Sequence, residues 1–328
     1  MDTALRPMST SQVLDRTFFL YRNNFLVFAG IAMVAPLLTL MVGIVQLAIF
    51  GRPVMPQPGA VDPAAMQNVL ARSLISTVLG LVCYAVGAAI ASGATIYAVS
   101  MLHLGKPVTI VESYRSIKPV FWRILSLLVR IFFFALWPIL VGYVLLLAMI
   151  FSFAAISKQS PGAFSPLLIV LPLFAFVSII GGAFWAVFVY CRYSLAVAAC
   201  TIERLRVKDS MKRSAFLTRG SMWRVVGIYL LTLLMSWVLT ALFQAPSFFF
   251  FNPFSPKAGP INSAYLIWGY LGNFLGTTAA GPIATIALAL LYYDQRVRKE
   301  AFDLQLMMDA MAQQQAPQAE TTTSAAIG

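Results

Sequence analysis

Six long stretches of the chain contain no charged residue, and they limit what the chain can fold into. Each is longer than the roughly 20 residues that an α-helix needs to cross the ~30 Å hydrocarbon core of a bilayer. Because backbone amides cannot stay unpaired in hydrocarbon, stretches of this length predict membrane-spanning helices. The predicted spans are 25–50, 73–102, 131–157, 159–191, 225–256 and 258–293.

The composition agrees with a lipid environment. Of the 328 residues, 60% are hydrophobic and 10% are charged, whereas a soluble domain carries about 25% charged residues. Such a chain has too little polar surface to cover a water-soluble fold. The sequence therefore excludes a water-soluble enzyme and predicts an all-α polytopic membrane protein with six transmembrane helices.

Lysine and arginine are distributed unevenly between the spans. Of the 23 such residues, 17 lie in the charged segments that precede the first, third and fifth spans or follow the sixth, and 4 lie in the other connections. The remaining two, Arg130 and Arg192, lie in apolar sequence. Basic residues collect on the cytoplasmic side of membrane proteins, so both termini are expected in the cytoplasm of a multi-pass bacterial inner-membrane protein. The aromatic residues expected to form a belt at that interface are Trp122, Trp223, Tyr292 and Tyr293.

The charged segments 11–22, 108–118 and 207–219 precede the odd-numbered spans and look like copies of one unit. Arg16, Arg115 and Arg213 are 99 and 98 residues apart. We expect three repeats at about 9–104, 105–204 and 205–300, each a cytoplasmic interfacial amphipathic helix followed by a helical hairpin. An amphipathic helix at 301–312 would complete one domain over 1–312, and the tail at 313–328 is expected to be disordered.

The chain offers little for catalysis. Its only histidine, His103, cannot form a histidine-based metal cluster, and Cys83, Cys191 and Cys200 lack metal-ligand spacing. The predicted spans contain no acidic residue, and phosphate-loop or dinucleotide motifs are absent from the sequence. We therefore predict no catalytic residue, no metal and no cofactor.

Arg130 and Arg192 lie in apolar sequence, where an ionisable residue is a functional candidate because its desolvation is expensive. One interpretation is that both face the interior of the bundle and bind a phosphate or a carboxylate. The other is that their long side chains extend to the cytoplasmic interface. The sequence leaves both interpretations open.

The segment 204–224 holds the densest basic cluster, and it adjoins a predicted span. Such clusters favour anionic lipid headgroups. Nucleic acid is not expected, because the basic residues are spread over four membrane-proximal segments rather than one groove. The candidate lipid- or anion-binding residues are Arg130, Arg192, Lys208, Lys212, Arg213, Arg219 and Arg224.

Small residues recur every four positions in the last span, at Gly272, Gly276, Ala280 and Ala284. This spacing lets helix backbones approach closely. It predicts packing within the bundle, with a homodimer face as the alternative. Proline residues in the spans, including Pro36, are expected to kink their helices.

Three parts of the sequence carry a family resemblance. They are RPMS at 6–9 with VLDRTF at 13–18 and YRNNF at 21–25; RYSLAVAAC at 192–200 with ER at 203–204, KRS at 212–214 and LTRG at 217–220; and YDQRVRKEAFDL at 293–304. Together they resemble the bacterial membrane domain associated with glycerophosphoryl diester phosphodiesterases. In that family, some members carry a fused catalytic α/β barrel, for which this chain has no room and no catalytic histidine pair. The resemblance therefore implies a stand-alone membrane module without the phosphodiesterase.

Three functions follow as expectations. The first is a non-enzymatic scaffold or accessory protein that contacts anionic phospholipid through its basic interfacial helices. The sequence leaves open whether it also contacts a membrane-protein partner or a second copy. The alternative is a transporter or flippase-like protein for an anionic or lipidic solute, using Arg130 and Arg192. The third is an enzyme acting on lipid headgroups, but its only acids, Asp15, Glu112, Asp294 and Asp303, are better explained as partners of nearby basic residues.

Overall fold

The computed structural model describes residues 8–51, 63–159, 167–250 and 263–300, and these residues form helices and no β-strand. The helices are α1 (Thr10–Asn23), α2 (Phe25–Ala32), α3 (Val34–Phe50), α4 (Pro63–His103), α5 (Ile110–Ile117), α6 (Phe121–Gln159), α7 (Leu167–Tyr193), α8 (Ala196–Ile202), α9 (Val207–Thr218), α10 (Met222–Phe250) and α11 (Ser263–Glu300). The expected amphipathic helix at 301–312 and the tail at 313–328 lie outside the described residues.

Five helices, α4, α6, α7, α10 and α11, are long and apolar enough to cross a membrane. The first predicted span is not one straight helix, because α2 and α3 meet at Met33 with a bend of 42°. Pro36 is the third residue of α3 and lies in its first turn. Backbone N–H groups in the first turn have no intrahelical acceptor, so the missing N–H of proline removes no hydrogen bond there. The proline therefore fits the beginning of a new helix better than the middle of a continuous one. Counted with this bent pair, the described residues contain up to six spans.

The walls of the bundle are apolar and exposed. Large side chains such as Leu26, Phe184, Trp237 and Phe249 have more than half of their surface uncovered by protein. Contiguous apolar surface of this extent is rare on soluble monomers. Hydrocarbon is the environment that covers it without loss of free energy, in agreement with a membrane-embedded protein.

Long helices that follow one another in the chain pack together in three pairs, α3 with α4, α6 with α7, and α10 with α11. Helix α11 occupies the centre, since it also contacts α1, α2, α3, α4, α8 and α9. In its most apolar stretch 50% of the residues are buried, against 11–17% in the other four long spans. The buried side chains include Ile286, Leu290 and Leu291.

Helices α8 and α9 lie at one end of the bundle, which we call the charged end. Helix α1 begins there, next to Asp294, and then runs along α11 until the Tyr21 hydroxyl donates to the Ala279 carbonyl. Helices α1, α5 and α9 coincide with the three charged segments of the sequence, and α8 is buried beneath them against α4, α6 and α9. A hydrogen bond between the hydroxyls of Ser100 in α4 and Tyr293 in α11 joins two of the long helices here. Arg123 of α6 donates to the carbonyl of Arg204, in the connection between α8 and α9 (2.9 Å). The face that α9 buries is mostly hydroxylic, with Ser210, Ser214 and Thr218 beside Leu217.

The small residues of α11 lie against α10. A Cβ atom added to Gly272 would lie 2.7 Å from the Phe243 carbonyl oxygen, and one added to Gly276 would lie 2.9 Å from the Thr240 Cα. Ala280 is buried and its carbonyl accepts a hydrogen bond from Ser236 (3.3 Å), whereas Ala284 is half-buried. The glycines thus allow contact between the two backbones within the chain.

Gly276→Ala tests this contact. Because the added methyl group meets backbone atoms, the two helices must separate, and we expect a loss of about 1–3 kcal/mol in the free energy of unfolding, less a small gain in helix propensity. Gly269→Ala on the same helix is the matched control, since nothing lies within 4 Å of its added Cβ. Thermal unfolding in detergent measures both, and equal stabilities would contradict close packing at Gly276.

Candidate lipid-contact site

The carboxylate of Asp294, on the last turns of α11, is completely buried at the charged end. It lies 2.6 Å from Arg224 of α10 and 3.0 Å from Arg298, and it accepts a hydrogen bond from the Met8 backbone N–H at 2.7 Å. Both guanidinium groups also donate to the Met8 carbonyl, each at 2.6 Å. The network therefore joins the residues before α1 to the beginning of α10 and the end of α11.

A second network surrounds Arg213 of α9. Its guanidinium group lies 3.1 Å from Glu203 and donates to Glu300 at 2.7 Å. Tyr292 donates to Glu203, and Arg296 lies 3.5 Å from the same carboxylate. Burial by itself lowers the pKa of Arg213, but the hydrogen bonds that its guanidinium group donates to Glu300 and Glu203 outweigh burial, and the pKa is raised. Arg213 is therefore a charged structural link between α9, α11 and the residue that follows α8.

The basic cluster of α9 and its flanks accordingly divides into two sets. Arg213 and Arg224 are half-buried in ion pairs, whereas Lys208, Lys212 and Arg219 are exposed. None of these three side chains lies within ion-pairing distance of a carboxylate among the described residues. We call Lys208, Lys212 and Phe216, which share one side of α9 at four-residue spacing, the basic face.

Two of the four aromatic residues predicted for an interfacial belt are placed differently. Trp223 and Trp122 are 88% and 75% exposed, which suits a side chain at a membrane–water interface. Tyr292 and Tyr293 instead point into the protein, where Tyr292 is completely buried and Tyr293 stacks on His103 with ring centroids 5.1 Å apart. The belt prediction is wrong for the two tyrosines because their hydroxyls have polar partners inside the charged end.

Arg130 and Arg192 are both exposed, on different helices. Arg130 lies on α6 about 13 Å along the helix axis from Phe121, at a rise of 1.5 Å per residue. Arg192 lies in the last turn of α7, closer to the charged end than the apolar sequence around it suggested, because α7 stops at Tyr193. The guanidinium group of Arg192 lies over the ring of Phe188.

A cleft of about 530 Å³ brings Arg192 together with Arg219. It opens beside the turn between α9 and α10, where Gly220 has a φ of +83°. The residues that line it are Arg192, Ala215, Phe216, Thr218, Arg219, Gly220 and Met222. Of the predicted site residues, the cleft therefore unites two, and Arg130 is not among those that line it.

Several polar residues of the charged end could not be assigned from the sequence. Both ring nitrogens of His103 and the amide nitrogen of Gln295 are buried without a hydrogen-bond partner among the described residues. Glu203 and Glu300 carry the second network, and the only local signal for it was the four-residue spacing of Arg296 and Glu300. Over the described part of the chain, no three His, Cys, Asp or Glu residues group as metal ligands would.

Comparison with known proteins does not assign the site. No protein-family model, curated protein or solved structure matches this chain. The family resemblance of the three sequence motifs therefore remains a prediction.

Asp294→Asn tests the first network. The substitution keeps the size of the side chain but leaves Arg224 and Arg298 without their negative partner, and we expect a loss of about 3 kcal/mol in the free energy of unfolding. Asp209→Asn removes an exposed carboxylate at the same end and should change stability by less than about 0.5 kcal/mol. Chemical unfolding in mixed micelles would measure both; indistinguishable midpoints would refute a stabilising role for Asp294.

Proposed function

We propose that this chain is a non-enzymatic integral membrane protein, a scaffold or accessory module that contacts anionic phospholipid at its charged end. The observation that carries the proposal is the exposure of Lys208 and Lys212 on α9, with no carboxylate within ion-pairing distance among the described residues. Trp223, at the beginning of α10, is exposed as well. Interfacial tryptophan together with uncompensated basic residues is typical of a surface that meets lipid headgroups.

The proposed arrangement in the membrane has six spans in three hairpins, with α5, α9 and the beginning of α1 at the cytoplasmic interface of a bacterial inner membrane. The rest of α1 follows α11 toward Ala279. The pairing of α3 with α4, α6 with α7, and α10 with α11 supports this arrangement. So does the excess of lysine and arginine in the segments that form the charged end. In this arrangement the module corresponds to the stand-alone membrane domain that the sequence resembles.

The division of the basic cluster determines which residues face lipid. Arg213 and Arg224 are neutralised by carboxylates of the same chain, so they add little to the potential outside the protein. Lys208 and Lys212 are free to attract anionic headgroups, at about 1 kcal/mol for each basic residue near the surface. The exposed ring of Phe216 lies between them and the cleft and adds apolar contact.

The exposed positions of Arg130 and Arg192 also favour an interfacial role over a transport path. A transport site near the middle of the membrane needs charged groups that face a shared internal cavity. Arg192 instead lines an open cleft at the charged end, and Arg130 is exposed on α6. Their long side chains can reach the headgroup region from these positions.

Lys208→Gln/Lys212→Gln tests the proposal. In nanodiscs of phosphatidylcholine with a small fraction of spin-labelled phosphatidylglycerol, the wild-type protein should immobilise the anionic lipid in preference to the zwitterionic one. The double variant should lower that preference by about tenfold or more, since two residues at about 1 kcal/mol each correspond to roughly thirtyfold. High salt should reduce the wild-type preference in the same direction because it screens exposed charges.

The matched control is Lys208→Arg/Lys212→Arg, which keeps the charge and should keep the preference. A preference for phosphatidylglycerol that is equal in the wild-type protein and the glutamine variant would refute lipid contact through the basic face. Uptake of a fluorescent anionic solute by liposomes containing the purified protein would instead support the transporter.

A further inference from the structure

We propose that the cleft between Arg192 and Arg219 binds the phosphate group of one phospholipid headgroup. This inference rests on the proposed membrane location, but it goes beyond contact through the basic face. It assigns a discrete, saturable site to a different pair of residues, at the junction of α7, α9 and α10.

The walls of the cleft are fixed by contacts that do not use the two guanidinium groups. The Arg192 carbonyl accepts hydrogen bonds from Ser214 (2.9 Å) and Thr218 (3.3 Å), which hold the end of α7 against α9. On the other side, Lys299 donates to the carbonyls of Phe216 (2.7 Å) and Arg219 (2.5 Å) and so holds the turn that leads to α10. The scaffold of the cleft is therefore built from backbone carbonyls. Among the described residues neither arginine has a carboxylate partner, and the guanidinium group of Arg192 lies over the ring of Phe188, a contact that does not use its N–H donors.

The charge in the cleft is uncompensated. Two of its lining residues are arginines and none is acidic. The Lys299 ammonium, bound behind the turn, adds a third positive charge nearby. A guanidinium group presents a planar fork of donors that matches the oxygens of a phosphate, and two such forks in one cleft favour a phosphate over a single carboxylate.

The shape of the cleft suits a headgroup that stays attached to its acyl chains. Its volume of about 530 Å³ is in the range of pockets that hold small organic ligands. The exposed ring of Phe216 and the side chain of Met222 belong to its lining and give it apolar surface. A lipid could place its phosphate between the arginines while its acyl chains lie along the apolar wall of α7, which includes the exposed Phe184 and Phe188.

The test is a lipid titration of the delipidated full chain in detergent, followed by native mass spectrometry. One molecule of short-chain phosphatidylglycerol should bind to each protein chain, in a step that saturates as the lipid concentration rises. Arg192→Gln/Arg219→Gln should weaken this step about tenfold or more, because each lost charged hydrogen bond contributes roughly 1.5–3 kcal/mol. Lys208→Gln/Lys212→Gln removes the same charge from the basic face and should weaken it by less than about threefold.

A second variant separates occupancy of the cleft from charge. Ala215→Trp fills the cleft without changing any ionisable group, and it should abolish the saturable step while the unfolding temperature stays close to that of the wild type. Retention of the bound lipid in this variant would overturn the assignment. The assignment would also be overturned if Arg192→Gln/Arg219→Gln and Lys208→Gln/Lys212→Gln weakened lipid binding equally.

Soluble competitors distinguish the source of the phosphate. Glycerol phosphate and inorganic phosphate should fail to displace the lipid at equal concentration, because they lack the acyl chains that add apolar contact. Complete displacement by either would assign the cleft to a soluble phosphate compound and overturn the lipid assignment. The two proposals can fail independently of each other. If only the cleft variants lose the saturable step, the cleft assignment is supported. This holds even if the lipid preference in nanodiscs does not depend on Lys208 and Lys212.

Discussion

The buried carboxylate of Asp294 is the contact on which the arrangement of the charged end depends. A charge removed from water must be paired and hydrogen-bonded, and Asp294 has two guanidinium partners and a backbone N–H. Its partners come from α10, from α11 itself and from the residues before α1, so satisfying one carboxylate fixes three parts of the chain. Six residues later, Glu300 does the same for Arg213 and α9. The last two turns of α11 thus hold the short helices in place, and they belong to the most deeply buried of the long helices.

This use of charge explains why the densest basic cluster has two roles. Arg213 and Arg224 are satisfied within the protein, and their removal would take one positive partner from each of the carboxylates that they bind, Glu203, Glu300 and the buried Asp294. Lys208, Lys212, Arg192 and Arg219 have no such partner among the described residues, and they lie at the surface that apolar walls and exposed tryptophans mark as interfacial. The net charge of +12 therefore combines residues that maintain the fold with residues available to anionic ligands.

The sequence predicts the long helices well because one physical requirement, burial of backbone amides in hydrocarbon, produces long uncharged stretches. It also places charged segments where α1, α5 and α9 lie.

The bend at Met33 could not be read from the proline alone, since Pro36 suits either a kink or a helix start. The pairing of Arg213 with Glu203 and Glu300 was hidden because one acid is ten residues away and the other is on a distant helix. The burial of Tyr292 depends on the same long-range pairing. Likewise, the cleft joins Arg192 and Arg219 across a chain reversal that spacing does not reveal.

We propose that the charged end lies at the cytoplasmic face of the membrane. Labelling of a single cysteine with a membrane-impermeant maleimide tests it most directly, with Lys212→Cys introduced after Cys83, Cys191 and Cys200 are replaced. Lys212 is exposed on α9, so the thiol will react readily when the reagent is on its side of the membrane. A cytoplasmic charged end predicts labelling in inside-out vesicles and none in intact cells with a permeabilised outer membrane. Labelling in those intact cells, with none in inside-out vesicles, would contradict it.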